Sequence, residues 1–338
     1  MKLGLWGARA DRGGLAALTY EFFRHLEPER TLVVDLGAAG RGPSHHERYP
    51  GAEINCGYND DIAVETVRRF ATGLDVVYAA ETAYREDVFD IMRECGVRTV
   101  LHSMPELWRA DMAQPDVMWV PTKWELSRMP DGTRIVPVPV PTDTFAGTER
   151  RYIGRWLHMG APAFHDRNGT LTVIDALAHV TQPTEVLFAG RTPPPPIRNH
   201  HGTSVTVEWT PGSCVERRDA YPDDCQGLIL PRRYAGLSLP MQEAAALGWA
   251  IAASDLPPQN EWLPPEMTAP ARLKRQVRMA GGVFNVHECG PAALAAVMDR
   301  AQIDLAAKAS RASLDHADQI SWDRLLPVYR EALDEAAA

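Results

Sequence analysis

Short apolar runs alternate with longer stretches of helical periodicity from the start of the chain. Runs at 3–6, 31–35, 74–78, 98–101, 117–120 and 134–138 are strand-sized, while 15–26, 62–70 and 84–94 carry apolar side chains at helical spacing. Strands alternating with helices in this way predict a parallel sheet covered on both faces. The pattern breaks near 137–147, where Pro137, Pro139 and Pro141 fix φ and remove ladder donors. It then restarts with strands at 155–158, 185–189, 204–208, 227–230 and 250–253 and helices at 169–179 and 240–247. An Ala-rich helical tail runs from Pro291 and ends in helices at 304–316 and 322–336. The prolines of 193–196 mark a polyproline loop. These signals predict two α/β halves of similar size joined by a proline-rich hinge. Ligands of such sheets bind beyond the carboxyl ends of strands, which makes the cleft between the halves the expected place.

Composition narrows the class. The 338 residues are 45% hydrophobic and 23% charged, a globular balance. No apolar run reaches the roughly 18 residues of a membrane span. Arg9 and Asp11 come too early for a secretory signal, so the expected location is the cytoplasm. The net charge of −9 disfavours bulk attraction to nucleic acid, although a local basic groove stays open. Cys56, Cys95, Cys214, Cys225 and Cys289 form no C-x-x-C pair and read as reduced, mostly buried thiols. His45–His46 and His200–His201 are sequence neighbours whose side chains point apart, and they lack a third ligand at helical spacing; no metal is expected. Asp60–Asp61 and Asp223–Asp224 read as a cap and a loop.

Two turns carry candidate chemistry. The first, residues 4–14, follows a strand and opens a helix; Gly13 and Gly14 permit close backbone approach. It is neither G-x-G-x-x-G nor a P-loop. The second is QGLILPRRYAGLSLPMQEAAALGWAIAASD, residues 226–255, in which a buried strand meets a polar turn and then a helix. There the main-chain N–H groups of Leu237, Ser238 and Leu239 stand at a helix start and suit a diphosphate. Glu243, on the expected first turn of that helix, could accept ribose hydroxyls.

This second stretch resembles the donor-site signature of retaining glycosyltransferases of the GT-B fold, the family-4 type (glycosyl transferases group 1), roughly P-S-x-Y-E-G-F-G-L-P-x-x-E-A-x-A-x-G-x-P-V-x-A-S. Pro231, Tyr234, Gly236, Leu239, Pro240, Glu243, Ala244, Gly248, Ala253 and Ser254 match it in order without gaps. VPTKWELS and VPVPVPTDTF at 120–127 and 136–145, DRNGTLTVIDAL at 166–177 and ISWDRLLPVY at 320–329 are similar to the family's other segments in the same order. The resemblance implies an α/β GT-B architecture, two Rossmann-like domains with parallel sheets facing across a cleft. Residues 1–145 would form the acceptor-side domain, 146–318 the nucleotide-sugar domain, and 319–338 a helix crossing back to the first.

What the resemblance implies for function is transfer of a sugar from a nucleoside-diphosphate sugar, UDP- or GDP-linked, to an acceptor hydroxyl with retention and without a metal or other cofactor. Arg167 and the amides of Leu237, Ser238 and Leu239, with Gly236 beside them, would neutralise the diphosphate. Glu243 would hold ribose, Trp209 would stack on the base, His102 would orient the sugar, and Gly13 and Gly14 would let the first domain approach. This chain departs from the family at Ala235, where the first motif glutamate is lost, and at Asn168, which replaces the phosphate-binding lysine. Those losses motivate another reading, a catalytically inactive scaffold that binds nucleotide or glycan; a sugar-nucleotide epimerase is a further one. The basic run 272–278 (RLKRQVR) reads as a solvated helix or loop face, with contact to an anionic acceptor as the other choice. The acceptor itself stays open among protein, small molecule, oligosaccharide and a modified DNA base as in viral enzymes.

Overall fold

The computed structural model describes residues 1–11, 13–36, 44–55, 62–160, 166–190, 193–211, 217–234, 236–279 and 282–338. They form two compact units, Met1–Val138 with Met279–Gly282 and Trp322–Ala338, and Pro139–Arg278 with Val283–Ser321.

The first unit holds β1 (Leu3–Arg9), β2 (Arg30–Val34), β3 (Glu53–Asn55), β4 (Val76–Ala80), β5 (Arg98–His102), β6 (Val117–Val120) and β7 (Arg134–Ile135), in the spatial order β3-β2-β1-β4-β5-β6-β7. All of these pairings are parallel. Its helices are α1 (Gly14–Leu26), α2 (Val64–Ala71), α3 (Val88–Glu94) and α8 (Trp322–Ala337). The period of two along a strand sorts its side chains between two cores. Val77, Ala79, Leu101, Met118 and Val120 join Phe70 of α2 and Phe89 and Met92 of α3. Their alternates Tyr78 and Trp119 pack instead with Phe22 of α1 and Tyr329 of α8, at ring separations of 4.9–6.3 Å. Edge-to-face and tilted ring pairs of this kind add to the area they bury.

The second unit holds β8 (Trp156–Met159), β9 (Thr184–Gly190), β10 (Val205–Pro211), β11 (Gly227–Leu230), β12 (Ala250–Asp255), β13 (Thr268–Met279) and β14 (Gly282–Cys289), in the order β10-β9-β8-β11-β12-β13-β14. The strands from β8 to β13 pair in parallel. Its helices are α4 (Thr170–Leu177), α5 (Leu239–Ala246), α6 (Pro291–Arg300) and α7 (Ala306–Gln319), the last two joined by a π-helical turn at Ala301–Leu305.

The α/β class, the parallel sheets and most elements agree with the sequence reading. The structure corrects it in three places. The basic run 272–278 is neither helix nor loop; it lies in the twelve-residue strand β13, where residues 272–276 are all exposed. With no buried face, those positions carry no alternation to read. The hairpin partner β14 and the short β3 also lacked a signal. The expected helix from residue 84 begins only at Val88, because Glu81 and Tyr84 take positive φ, 59° and 64°. Cys225 and Cys289 are buried free thiols and Cys95 is half-buried; Cys56, Cys214, Asp60 and Asp61 lie outside the described residues. Burial pushes Cys225 up to about 12. No helix among the described residues is long and apolar enough to cross a membrane.

Three imidazoles are held neutral by burial: His102, lowered to about 3, and His158 and His316, each lowered to about 4. Their folded pKa values are depressed, so the unfolded chain binds more protons in the window between. Stability is therefore full above about pH 6.5 and falls as pH drops toward 4, by about 1.4 kcal/mol per ring per unit crossed. Urea titrations stepped from pH 7.5 to 4.5 will show a declining midpoint; a flat one contradicts the neutral burial.

Candidate functional site

In the second unit the ladder between β8 and β11 closes at Leu157 and Leu228. Beyond it the two strands are joined through a side chain. His158 Nδ1–H donates to the Ile229 carbonyl (2.8 Å), which leaves Nε2 to accept from the Thr170 hydroxyl at the start of α4 (2.9 Å). Two turns leave the strand ends here, residues 166–169 before α4 and 231–238 before α5.

The turns are fastened to each other. Gly169 (φ +70°) lies so close to Pro231 that a Cβ would stand 2.5 Å from its carbonyl oxygen. The Arg233 N–H donates to the Arg167 carbonyl (3.0 Å), and the Arg167 guanidinium lies 5.5 Å from the centre of the Tyr234 ring. Asn168 donates its side-chain amide to the Met159 carbonyl (2.8 Å). That bond ties the turn to β8, so Asn168 serves the turn's shape and Arg167 is the cation there.

The two helix starts are electrostatically opposite. At α4, Asp166 accepts from the N–H groups of Thr170 (2.8 Å) and Leu171 (3.3 Å), so a resident carboxylate fills the anion position. Arg233, itself buried, pairs with that carboxylate and with Glu288 of β14, both at 3.5 Å. At α5 no carboxylate among the described residues plays this part. Ser238 is its N-cap residue and makes no side-chain cap bond. Its hydroxyl is buried without a partner, and so is Gln242 Oε1 one turn along the same face. Among the described residues the main-chain N–H groups of Leu237, Ser238 and Leu239 meet no acceptor. The first N–H groups of a helix have no partner within it and must find one outside. Ala235 lies outside the described residues.

Glu243 is the fifth residue of α5, a turn deeper than its expected first-turn place, and 3% exposed. Its carboxylate is already engaged: one oxygen accepts from Arg217 Nε and the other from the Tyr221 hydroxyl. Burial raises its pKa, with Arg217 and Tyr221 opposing. The Tyr221 ring packs in turn on Phe145 and Trp249. A ribose at Glu243 would have to compete with these partners.

Other expected residues fall elsewhere. Trp209, 40% exposed on edge strand β10, donates its ring N–H to the Gly190 carbonyl at the end of β9 (3.0 Å). It therefore sits at the same end of the sheet, two strands or about 10 Å from β8. His102 corrects the expectation that it faces a sugar. Strand parity turns its ring to the α8 side, where Nδ1 stands 2.9 Å from the Tyr78 hydroxyl and 3.4 Å from that of Tyr329, and the residue is 4% exposed. It is a core histidine of the first unit. Gly13 is extended (φ 164°) with open space where a Cβ would go, and Gly14 begins α1. Of the paired histidines, His45 bonds Glu47 while His46 meets Ser44 and Asp35. No three potential metal ligands converge among the described residues. Arg217, Tyr221, Arg232 and Arg233 were not singled out in the sequence. The signal available for the arginines was a pair of charges at the end of a fully apolar strand.

No family model and no curated protein sequence matches the chain. Solved structures do. One is Anabaena HepE (Alr3699) in complex with UDP, at 11% identity and TM-score 0.68 over 99% of this chain and 100% of that one. Others are sucrose-phosphate synthase from Thermosynechococcus elongatus, at 14% and 0.64 over 98% and 99%, and the lipopolysaccharide outer core galactosyltransferase WaaB, at 12% and 0.66 over 99% of both. HepE has also been solved with UDP-glucose. At these identities the likeness is one of fold, and the chain has the GT-B fold.

Glu243→Ala removes one acceptor from Tyr221 and one from Arg217, and will lower the unfolding free energy by about 1–3 kcal/mol. Glu243→Gln, which keeps one acceptor, will lose less. Urea unfolding of the two variants beside the parent decides it; an unchanged midpoint for the alanine variant removes the carboxylate from the packing.

Proposed function

We propose that the chain is a glycosyltransferase that takes its sugar from a nucleoside diphosphate held at the start of α5. One observation carries the reading: three adjacent main-chain donors and a buried serine hydroxyl are left unsatisfied at a helix N-terminus, while the neighbouring helix is capped by its own aspartate. A diphosphate supplies the missing acceptors and complements the helix dipole. Arg167, fastened beside this turn, brings the positive charge, and Trp209 offers an exposed ring for the base. The nucleotide complexes of HepE, a protein of the same fold, support a UDP-linked donor.

In this reading the bond between the anomeric carbon and the diphosphate oxygen breaks, and its electron pair passes to the leaving diphosphate. The fixed donors stabilise that charge as it develops and need no reorganisation at the moment of transfer. The acceptor oxygen bonds to the anomeric carbon, and its proton goes to a leaving-group oxygen on the same face. That gives retention without a dedicated protein base. Retention and independence from metal follow from the sequence resemblance, a cytoplasmic site of action from the early charges Arg9 and Asp11, and all belong to the same proposal. Glu243 acts one step back, holding Arg217, so the missing glutamate at residue 235 and the reassigned Glu243 leave amides and arginine as the donor-binding chemistry.

Incubation with a panel of UDP- and GDP-sugars will release nucleoside diphosphate from at least one; binding with no release under any acceptor supports the inactive scaffold, and isomerised donor supports an epimerase. Leu239→Pro deletes one cradle N–H at the first helical position, where proline is tolerated. It will weaken UDP binding by about ten- to hundredfold, the worth of a hydrogen bond to a charged group. Calorimetry with UDP, with circular dichroism to confirm the fold, measures it; undiminished affinity places the diphosphate elsewhere.

A further inference from the structure

β13 outlasts the sheet it belongs to. It pairs with β12 only over Thr268–Pro270, and the other nine of its twelve residues have β14 as their neighbour. At about 3.3 Å per residue they make a two-stranded ribbon about 30 Å long. Because β12 and β13 are parallel, the ribbon continues past the carboxyl end of the sheet. One side of it is packed: Val277 of β13 and Phe284 and Val286 of β14 are buried. The period of two places Arg272, Lys274, Gln276 and Arg278 on the other side, where the Gln276 amide donates to Asn285 Oδ1 (3.1 Å) across the ribbon.

The ribbon carries charge of one sign. Residues 270–287 include Arg272, Lys274, Arg275 and Arg278 and no aspartate or glutamate. The first carboxylate after them, Glu288, is shared between Lys274 (2.8 Å) and the buried Arg233 (3.5 Å). Among the described residues Arg272 and Arg278 meet no carboxylate. Exposed arginines elsewhere, such as Arg93, Arg109 and Arg134, pair with Asp90, Asp111 and Glu335. In a chain of net −9, a local row of unmatched cations is a surface for an anionic partner. The ribbon is also held at its base. His287 N–H donates to the Arg233 carbonyl (3.0 Å) and Arg233 Nε to that of His287 (3.3 Å), so β14 is bonded to the turn that leads to α5.

Shape decides the kind of anion. Charges on one side of a strand recur at about 6.6 Å, so from Arg272 to Arg278 they span about 20 Å. A single head group or nucleotide meets one or two of them. A phosphodiester chain, with a charge about every 3.4 Å of axis per strand, meets the whole row. The major groove of duplex DNA, about 12 Å wide, admits a two-stranded ribbon. Midway along the row, Gln276 Oε1 and Asn285 Nδ2 remain for base edges. A membrane surface fits less well: binding in its plane needs a broad apolar face, and among the described residues of the ribbon the one large apolar side chain exposed is Leu273.

We infer that the β13–β14 ribbon binds duplex nucleic acid through its phosphates. The inference goes beyond the transferase reading and stands without it. Anisotropy of a labelled DNA duplex of about 20 base pairs, titrated with the protein from about 50 to 200 mM salt, will give binding with a log–log salt slope of about −3, for three phosphate contacts. Arg272→Gln/Arg278→Gln will reduce that slope by about 2 and weaken binding by about tenfold or more at low salt. Arg311→Gln/Arg330→Gln, an equal charge change at exposed helix positions, will leave both unchanged. No binding of the duplex at the lowest salt, an unchanged slope in the ribbon variant, or an equal loss in the helix variant overturns the inference. So does tighter binding to vesicles of phosphatidylserine and phosphatidylcholine, or to polyglutamate, which makes the partner a membrane or an acidic protein surface. Calorimetry with UDP on the same samples reports separately on the cradle at α5, so failure of one reading is distinct from failure of the other.

Discussion

The neutral imidazole of His158 is the joint on which the second unit's chemistry depends. It replaces the next rung of the β8–β11 ladder, donating a hydrogen bond to the Ile229 carbonyl and accepting one from the Thr170 hydroxyl, and so ties two strands and α4 at a single point. The bond accepted from Thr170 requires the uncharged ring, since a protonated imidazole has no acceptor for the threonine hydroxyl. Burial supplies that condition by pushing the pKa down to about 4. Past this point the turns that follow β8 and β11 are locked to each other by the Gly169–Pro231 contact. A polar turn with unsatisfied amides survives in a packed protein only when its neighbours hold it in this way.

Charge is distributed by the same logic of local satisfaction. The chain carries a net −9, yet the turn after β11 begins with Arg232 and Arg233, each only 6–7% exposed. Desolvated guanidinium groups need carboxylates, and Arg233 finds Asp166 and Glu288. In doing so it fixes the aspartate that caps α4. One helix terminus is thereby closed to anions and the other left open, although both follow adjacent strands of the same sheet. Net charge says nothing of this, because the deciding quantities are which carboxylate reaches which amide.

Legibility in the sequence followed burial. Strands covered on both faces, such as β4 and β11, stand out as unbroken apolar runs, and the tally of such runs was enough for two α/β halves. The Gly–Leu–Ser–Leu–Pro neighbourhood at residues 236–240 marked the start of α5, since a proline at the second helical position after a serine cap is a local signal. What depended on distant partners was not legible. The parity that sends His102 toward Tyr329 is set by a helix more than two hundred residues away. Glu243 carries no mark of Arg217 or Tyr221, and Asp166 none of the helix it caps until the turn is seen. The exposed strand β13 gave no periodicity because neither of its faces is buried along residues 272–276.

Two places in the second unit leave polar groups unsatisfied, and they differ in kind. At α5 the surplus is of donors: three amides and a hydroxyl, with arginine alongside. On the ribbon of β13 and β14 it is of side-chain cations in solvent, Arg272 and Arg278 foremost. Main-chain donors at a helix start are fixed in direction, so they recognise one compact anion by geometry. Exposed guanidinium groups are mobile and screened, each worth little alone, so they count only as a row, against an anion that repeats. The net charge of −9 governs neither, since the Debye length of about 8 Å at physiological salt is shorter than the ribbon itself.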